Sequence, residues 1–397
     1  MKPNIIMQRT TVSVAAALLT LLFACKKEDN TLSNLPVERK NTANMVVIDA
    51  QQINTNTVWK DHQNGVDYLV KGLLIISNGN LTITPGVTVM FEENAGLLVT
   101  EEGSLTAIGT SSDPIWFTSV VNKRGSWKGI SILSSSSKNV LSHCKVELAG
   151  GENTFGKANI ILGSTQNQAR AEISYCEIRT SSSAGLLVQH ESSQLINFVS
   201  NVFNTNSGYP LSVPVNHSET ISTSNKFIHN GKTAIEMNST GAVTIPIVIG
   251  ETPLPVCFNQ PVLVQNSMTL LPGVRIQFCP GGGIRFEENG QLIAVGQPQK
   301  PIVLQGTYQG AGQWTSLKFY SPGAQNRLEH VFITGGGRQS QAMFNFYAGH
   351  VQAQNCTFSN SASSGLFIVK SIVSYNADIE TNNTFLNNAS AAILWGE

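Results

Sequence analysis

Acid–base chemistry needs carboxylates, imidazoles or amines gathered at one point, and this chain spreads its candidates thinly. The six aspartates are Asp29, Asp49, Asp61, Asp67, Asp113 and Asp378, and no two are adjacent. Glutamate offers Phe91-Glu92-Glu93-Asn94 and Phe286-Glu287-Glu288-Asn289, which read like one motif used twice. Lys145, Glu177 and Lys226 each follow an apolar or Asn position that recurs along the chain, so they are expected on an outer face where a polar ligand could lie. Trp127 and Trp314 could stack on sugar rings, although a Trp after Gly at a strand start more often closes a core layer. His143 and His330 have no acidic partner in sequence reach and are expected at a solvated strand edge. Arg275, Arg285 and Glu287 could share an exposed face without marking a site. No catalytic residue is assigned on these grounds.

Cysteine supplies the remaining chemistry. Cys25 stands apart near the start, which leaves Cys144, Cys176, Cys257, Cys279 and Cys356. An odd number leaves at least one thiol unpaired even in an oxidising compartment. Cys257 and Cys279 are 22 residues apart, and if that is one turn of a stacked structure, adjacent strands about 4.8 Å apart would leave a disulfide open. With no Cys-x-x-Cys and no paired His, no metal site and no cofactor is expected.

The elements that must position these residues repeat. Leu81–Gly150 maps without a gap onto Met268–Gly337: Pro85-Gly86 onto Pro272-Gly273, Gly125 and Trp127 onto Gly312 and Trp314, and His143 onto His330, each pair 187 residues apart. The two Glu-Glu motifs are 195 apart, outside that register, so their likeness is coincidence. Within each copy, short apolar alternations such as Leu81, Ile83, Val87, Val89 and Phe91 are broken by Gly, Asn and Ser, which reads as strands and turns without helix. Anchors Ile178, Phe203 and Phe227 recur at 25 and 24 residues, and Ile333, Phe358 and Phe385 at 25 and 27. Periods of this length mean one coil per repeat. Two residues before the anchors runs a second column: Cys144, Cys176, Asn201, Asn225, Val331, Cys356 and Asn383. Side chains two apart on a strand share a face, so this column points inward with the anchors, and its Asn residues are expected to satisfy one another along the axis.

Asn201-Val202-Phe203, Asn225-Lys226-Phe227 and Asn383-Thr384-Phe385 resemble the inward asparagine turns of right-handed parallel β-helix proteins of the pectate-lyase-like superfamily. The blocks around Pro85-Gly86 and Gly125–Trp127 resemble the β-helix lipoproteins of Bacteroidetes. The resemblance implies an all-β fold: a right-handed parallel β-helix solenoid of two tandem duplicated modules on one axis, residues 44–240 and 241–397. Val47–Trp59 is expected to cap the start, and at the other end either Trp395 lies over the last coil or something else covers it. Hydrolases of the superfamily use clustered Asp, and its lyases hold calcium with Asp or Glu beside an Arg or Lys base. The Asp-Asp pair, Asn-Thr-Asp turn and His-Gly step of such hydrolases are missing here.

The first 24 residues read as an export signal: Lys2 and Arg9, an apolar run Val12–Phe23, then Ala24. Leu22-Phe23-Ala24-Cys25 resembles a bacterial lipobox, which implies lipidation of Cys25 and a membrane partner through that anchor. The charged Lys26–Asp29 that follows is similar to the stretch that sends Bacteroidetes lipoproteins to the outer face of the outer membrane. Residues 25–43 read as the lipidated Cys and a flexible spacer. With 25 basic and 25 acidic residues and 13% charged, the chain has about half the usual charge density, and no basic stripe that would displace counterions from nucleic acid. The expectation is a monomeric surface lipoprotein that binds a polysaccharide or surface protein. A polysaccharide lyase or glycoside hydrolase with a dispersed site, and a purely structural surface protein, are the alternatives.

Overall fold

The computed structural model describes residues 45–397, apart from Asn64 and Thr240. The expected export signal, the expected lipidation at Cys25 and the expected spacer fall on residues outside the described ones. Strands two to six residues long follow one another with almost no helix, and each pairs in parallel with a strand one coil on. The chain is a parallel β-solenoid. Sheet A has 8 strands, from Val46–Asp49 to Lys226–Ile228; sheet B has 14, from Gln52–Ile53 to Thr384–Leu386; sheet C has 6, from Thr57–Trp59 to Gln194–Val199. With one strand per coil, sheet B counts 14 coils. Two further 6-stranded sheets belong to the second half: D, from Pro261–Val264 to Ile393–Gly396, and E, from Ile247–Ile249 to Ser374–Tyr375.

The 187-residue duplication holds strand for strand. Thr88–Phe91 has its equivalent in Arg275–Phe278, Gly96–Val99 in Gly283–Phe286, and Cys144–Glu147 in Val331–Thr334. Its sheet assignment changes, however. Sheet A ends at Lys226–Ile228, and second-copy equivalents of sheet A strands extend sheet B; equivalents of sheet B strands build D, and those of sheet C build E. A 3-10 turn, Val215–Thr220, packs between Gln194–Val199 of sheet C and Ile247–Ile249 of sheet E. The Pro-Gly turn is common to both copies because its backbone needs glycine: φ is +85° at Gly86 and +86° at Gly273.

Side chains alternate inward and outward, and the inward ones form one continuous core along the axis. Rings stack from coil to coil within it: Phe91 on Trp127 at 4.1 Å, Phe203 on Phe227 at 5.3 Å, and Phe286 on Phe319 at 4.7 Å. Such pairs add about 0.5–1.5 kcal/mol each beyond their area. The expected cap at Val47–Trp59 is corrected: Val46–Asp49, Gln52–Ile53 and Thr57–Trp59 are the first coil itself, one strand on each of sheets A, B and C. Partly buried Trp395 packs against the core in the last coil, 5.1 Å from the Tyr375 ring.

The inward column is buried as its period requires, at Cys144, Cys176, Asn201, Asn225, Val331 and Cys356, with Asn383 half-buried. Its Asn side chains do not pair with one another; they bond to backbone groups of the neighbouring coil, which links Asn225 to Asn201 along the axis. Asn201 Oδ1 accepts from the Cys176 N–H at 3.0 Å, Asn225 Oδ1 from the Asn201 N–H at 2.9 Å, and Asn383 Oδ1 from the Cys356 N–H at 2.9 Å, while each amide nitrogen donates to backbone carbonyls. The reason is that a bent turn leaves its N–H without a ladder partner, and a buried donor must be paired. Side chain to side chain ladders occur at a second turn, where Asn206 Nδ2 donates to Asn230 Oδ1 at 2.9 Å and Asn159 Nδ2 to Asn206 Oδ1 at 3.3 Å.

Candidate functional site

Sheet A carries the densest chemistry on its outer face. Register puts Trp116 beside Lys145 and Lys145 beside Glu177 on successive coils, with Glu147 beside Arg179 one step along. Arg179 ties the row together. Its Nη2 lies 2.6 Å from Glu147 Oε2 and its Nη1 3.1 Å from Glu177 Oε1, while Thr118 Oγ1 donates to Glu147 Oε1 at 2.6 Å. Lys145 Nζ sits 3.8 Å from Glu177 Oε2 and 4.4 Å from the Trp116 ring centroid. Burial works against the Arg179 charge, but the carboxylates of Glu147 and Glu177 outweigh it and hold its pKa above the ordinary guanidinium value. Glu147, 7% exposed, spends its oxygens on Thr118 and Arg179. The group is a fixed, internally neutral network.

At the edge of this row, where sheet C turns into sheet A, a cleft of about 330 Å³ opens between Thr110, Ser111, Pro114, His143, Lys145, Tyr175, Glu177 and Ser200. His143, Tyr175 and Ser200 occupy the same turn of three successive coils, at φ of 50°, 55° and 56°, each just before the inward column. The Tyr175 ring stacks on His143 at 4.9 Å and 8°. On the next coil Ser200 is too small to cover the other face, and Tyr175 is 54% exposed. The cleft thus presents an open aromatic face with an ammonium and a carboxylate beside it.

The residues singled out from the sequence separate here. Lys145 and Glu177 meet on sheet A, whereas Lys226 is two coils beyond Glu177, past Val202. Trp127 and Trp314 are not on a ligand face, which corrects the alternative that they display their rings. Both are fully buried, Trp127 donating from Nε1 to the Glu147 carbonyl at 2.8 Å and Trp314 to the Thr334 carbonyl at 2.9 Å, and each stacked on a core Phe. Cys257 and Cys279 are free thiols with sulfurs 3.4 Å apart, so the disulfide left open by their spacing is not formed. Cys279 follows its strand two residues beyond Gln277, the register partner of Cys257. On parallel strands that diagonal spans roughly 8 Å between Cα atoms, beyond ordinary disulfide reach. Burial pushes the Cys356 thiol up to about 12 and, with help from Cys176, raises Cys144 as well. Asp67, buried beneath the first coils, accepts the His62 and Thr88 N–H groups at 2.7 Å each. Arg285 pairs with Glu287 on sheet D, far along the chain from the Glu92–Lys71 pair on sheet A. Tyr175, Arg179, Glu147 and Trp116 were not picked out from the sequence. Tyr175 had a signal, since it precedes Cys176 as His143 precedes Cys144; Arg179 had none, because only coil stacking brings it to Glu147.

Stacked parallel coils, three or so strands to a turn and an asparagine-bonded interior define the class of protein: a parallel β-helix. Within it, residues 51–186 match the family model described as a pectate-lyase like beta helix domain. That segment holds most of sheet A, most of the cleft and the Arg179 network. No curated protein and no solved structure matches the chain.

Proposed function

We propose that this β-helix is a non-catalytic glycan-binding module, held on the outer membrane surface by lipid on Cys25, with a polysaccharide or a glycosylated surface protein as partner. The observation that carries the reading is the open face of Tyr175 above the sheet A cleft, flanked by Lys145 and Glu177. A sugar ring stacks its C–H face on an aromatic ring and offers its hydroxyls to charged and polar groups at the rim, which this arrangement supplies. Thr110 and Ser200 add hydroxyls within the same cleft. Stacked coils support an extended ligand, because equivalent positions recur about every 4.8 Å along the axis.

A polysaccharide lyase or hydrolase is the second reading, and the Glu147–Arg179–Glu177–Lys145 convergence is what favours it. Binding ranks first because Arg179 bridges both carboxylates and Thr118 takes a further oxygen of Glu147, so neither carboxylate is poised as a free acid or base. The test is a glycan array probed with the chain from Asn30 onward, alongside acidic polysaccharides followed by ultraviolet absorbance for unsaturated products. Binding lost in Tyr175→Ala and weakened in Lys145→Ala, without product, supports the module. Product formation that depends on Glu177 or Arg179 transfers the assignment to a lyase, and wild-type binding unchanged by Tyr175→Ala rejects this cleft.

A further inference from the structure

A second cluster lies on sheet B in the other half of the chain, around the two thiols. Four donor atoms are in mutual contact there. Cys257 Sγ is 3.4 Å from Cys279 Sγ and 3.5 Å from Asn259 Oδ1, and Cys279 Sγ is 2.8 Å from the same oxygen. Tyr209 Oη completes the group at 3.7 Å from Cys257, 4.0 Å from Cys279 and 2.9 Å from Asn259 Oδ1. These six separations are the edges of a slightly distorted tetrahedron. Its centre falls about 2.1–2.3 Å from each vertex, the bond length that a tetrahedral d10 cation makes to oxygen and sulfur.

Three features point to an ion rather than to a hydrogen-bonded knot. Asn259 Oδ1 faces three O–H or S–H donors at once, those of Tyr209, Cys257 and Cys279, with two lone pairs to offer. Asn259 is also held from behind, since its Nδ2 donates to Glu236 Oε1, and this aims Oδ1 at the sulfurs in the manner of an outer-shell carboxylate. The diagonal register that keeps the sulfurs from bonding suits a bridging atom: tetrahedral metal–sulfur bonds of about 2.3 Å put two thiolates about 3.8 Å apart, close to the 3.4 Å found.

We propose that Cys257, Cys279, Asn259 and Tyr209 form a binding site for a thiophilic divalent d10 cation, Zn²⁺ or Cd²⁺. On binding, two metal–sulfur bonds form and both thiol protons leave to solvent, so one divalent ion exchanges for two protons. Cys279, partly exposed at the end of its strand, is the entry side, and Cys257 is the buried anchor. Among the described residues no three His, Cys, Asp or Glu side chains share a point; amide and phenol oxygens make up the set. The ion would cross-link Tyr209 of the first module to Cys257 and Cys279 of the second, across the boundary between them.

The experiment is titration of the reduced full chain with Cd²⁺, read by the ultraviolet thiolate-to-cadmium charge-transfer band. A band that saturates at one equivalent, disappears in Cys279→Ser and persists in Cys356→Ser is expected, as is roughly tenfold weaker uptake in Tyr209→Phe, which keeps both sulfurs. Absence of the band in the reduced wild type, or its persistence in Cys279→Ser, overturns the site. So does an intact mass two hydrogens light that resists reduction, which would make the pair a disulfide.

Discussion

Replacing Trp127 by Ala deletes a fully buried indole stacked on Phe91 and leaves the Glu147 carbonyl without its donor. The expected loss is about 3–5 kcal/mol of stability, measured as a lower denaturant midpoint, whereas Tyr175→Ala should leave the midpoint nearly unchanged because its ring is largely exposed. Opposite effects on stability and on glycan retention would separate the packing aromatic from the displaying one. His217 offers a pH test. Burial lowers its pKa below the ordinary 6.5, so the unfolded chain binds the proton more readily than the folded one. Its contribution is complete above pH 6.5 and is lost as pH falls through the depressed folded-state value. Chemical denaturation at stepped pH should show stability declining on that acid limb, with a shallower slope in His217→Asn. The residue types that mattered were visible in the sequence, but which Trp or Tyr is wet was not, since a ring's exposure depends on the size of its neighbour one coil away.

The outer row of sheet A shows how stacking turns separate residues into one unit. Arg179→Ala strands Glu147, a carboxylate 7% exposed, without its counter-charge; removing one partner of a buried pair costs on the order of 3–5 kcal/mol. Lys145→Ala, at a partly exposed pair, should cost less than about 1 kcal/mol. Thermal denaturation of the two variants tests the contrast, and equal losses would mean that Glu147 finds another partner. The inward column was readable at this scale: strand alternation with a period of two and the coil-length spacing of the anchors located the buried faces, including Cys144, Cys176 and Asn201. The partners of the Asn side chains were not, because the period says that an amide points inward and says nothing of which backbone N–H the turn has left unpaired.

Among the described residues each strand pairs with strands of the coils before and after it, and only a few side chains reach farther, so stability should grade from the ends inward. Hydrogen exchange read by mass spectrometry should find the strongest protection in the middle coils, around Ile130, Ile160 and Leu186, and the weakest in the first and last, around Ile53 and Ile393. Uniform protection would mean that the solenoid opens as one unit. Sequence alone determined the coil length and the duplication, because both are written as periods and a period survives in one dimension, and the resemblance of its Asn turns to those of β-helix proteins implied the parallel β-helix. Tertiary structure alone decided that the second copy sets its sheet A equivalents on sheet B, that Tyr175 keeps an open face over Ser200, that Arg179 gathers Glu147 and Glu177, and that Tyr209 and Asn259 close around two thiols. Each of these joins residues a coil or more apart, and their meeting depends on register and axial stacking, which no local pattern encodes.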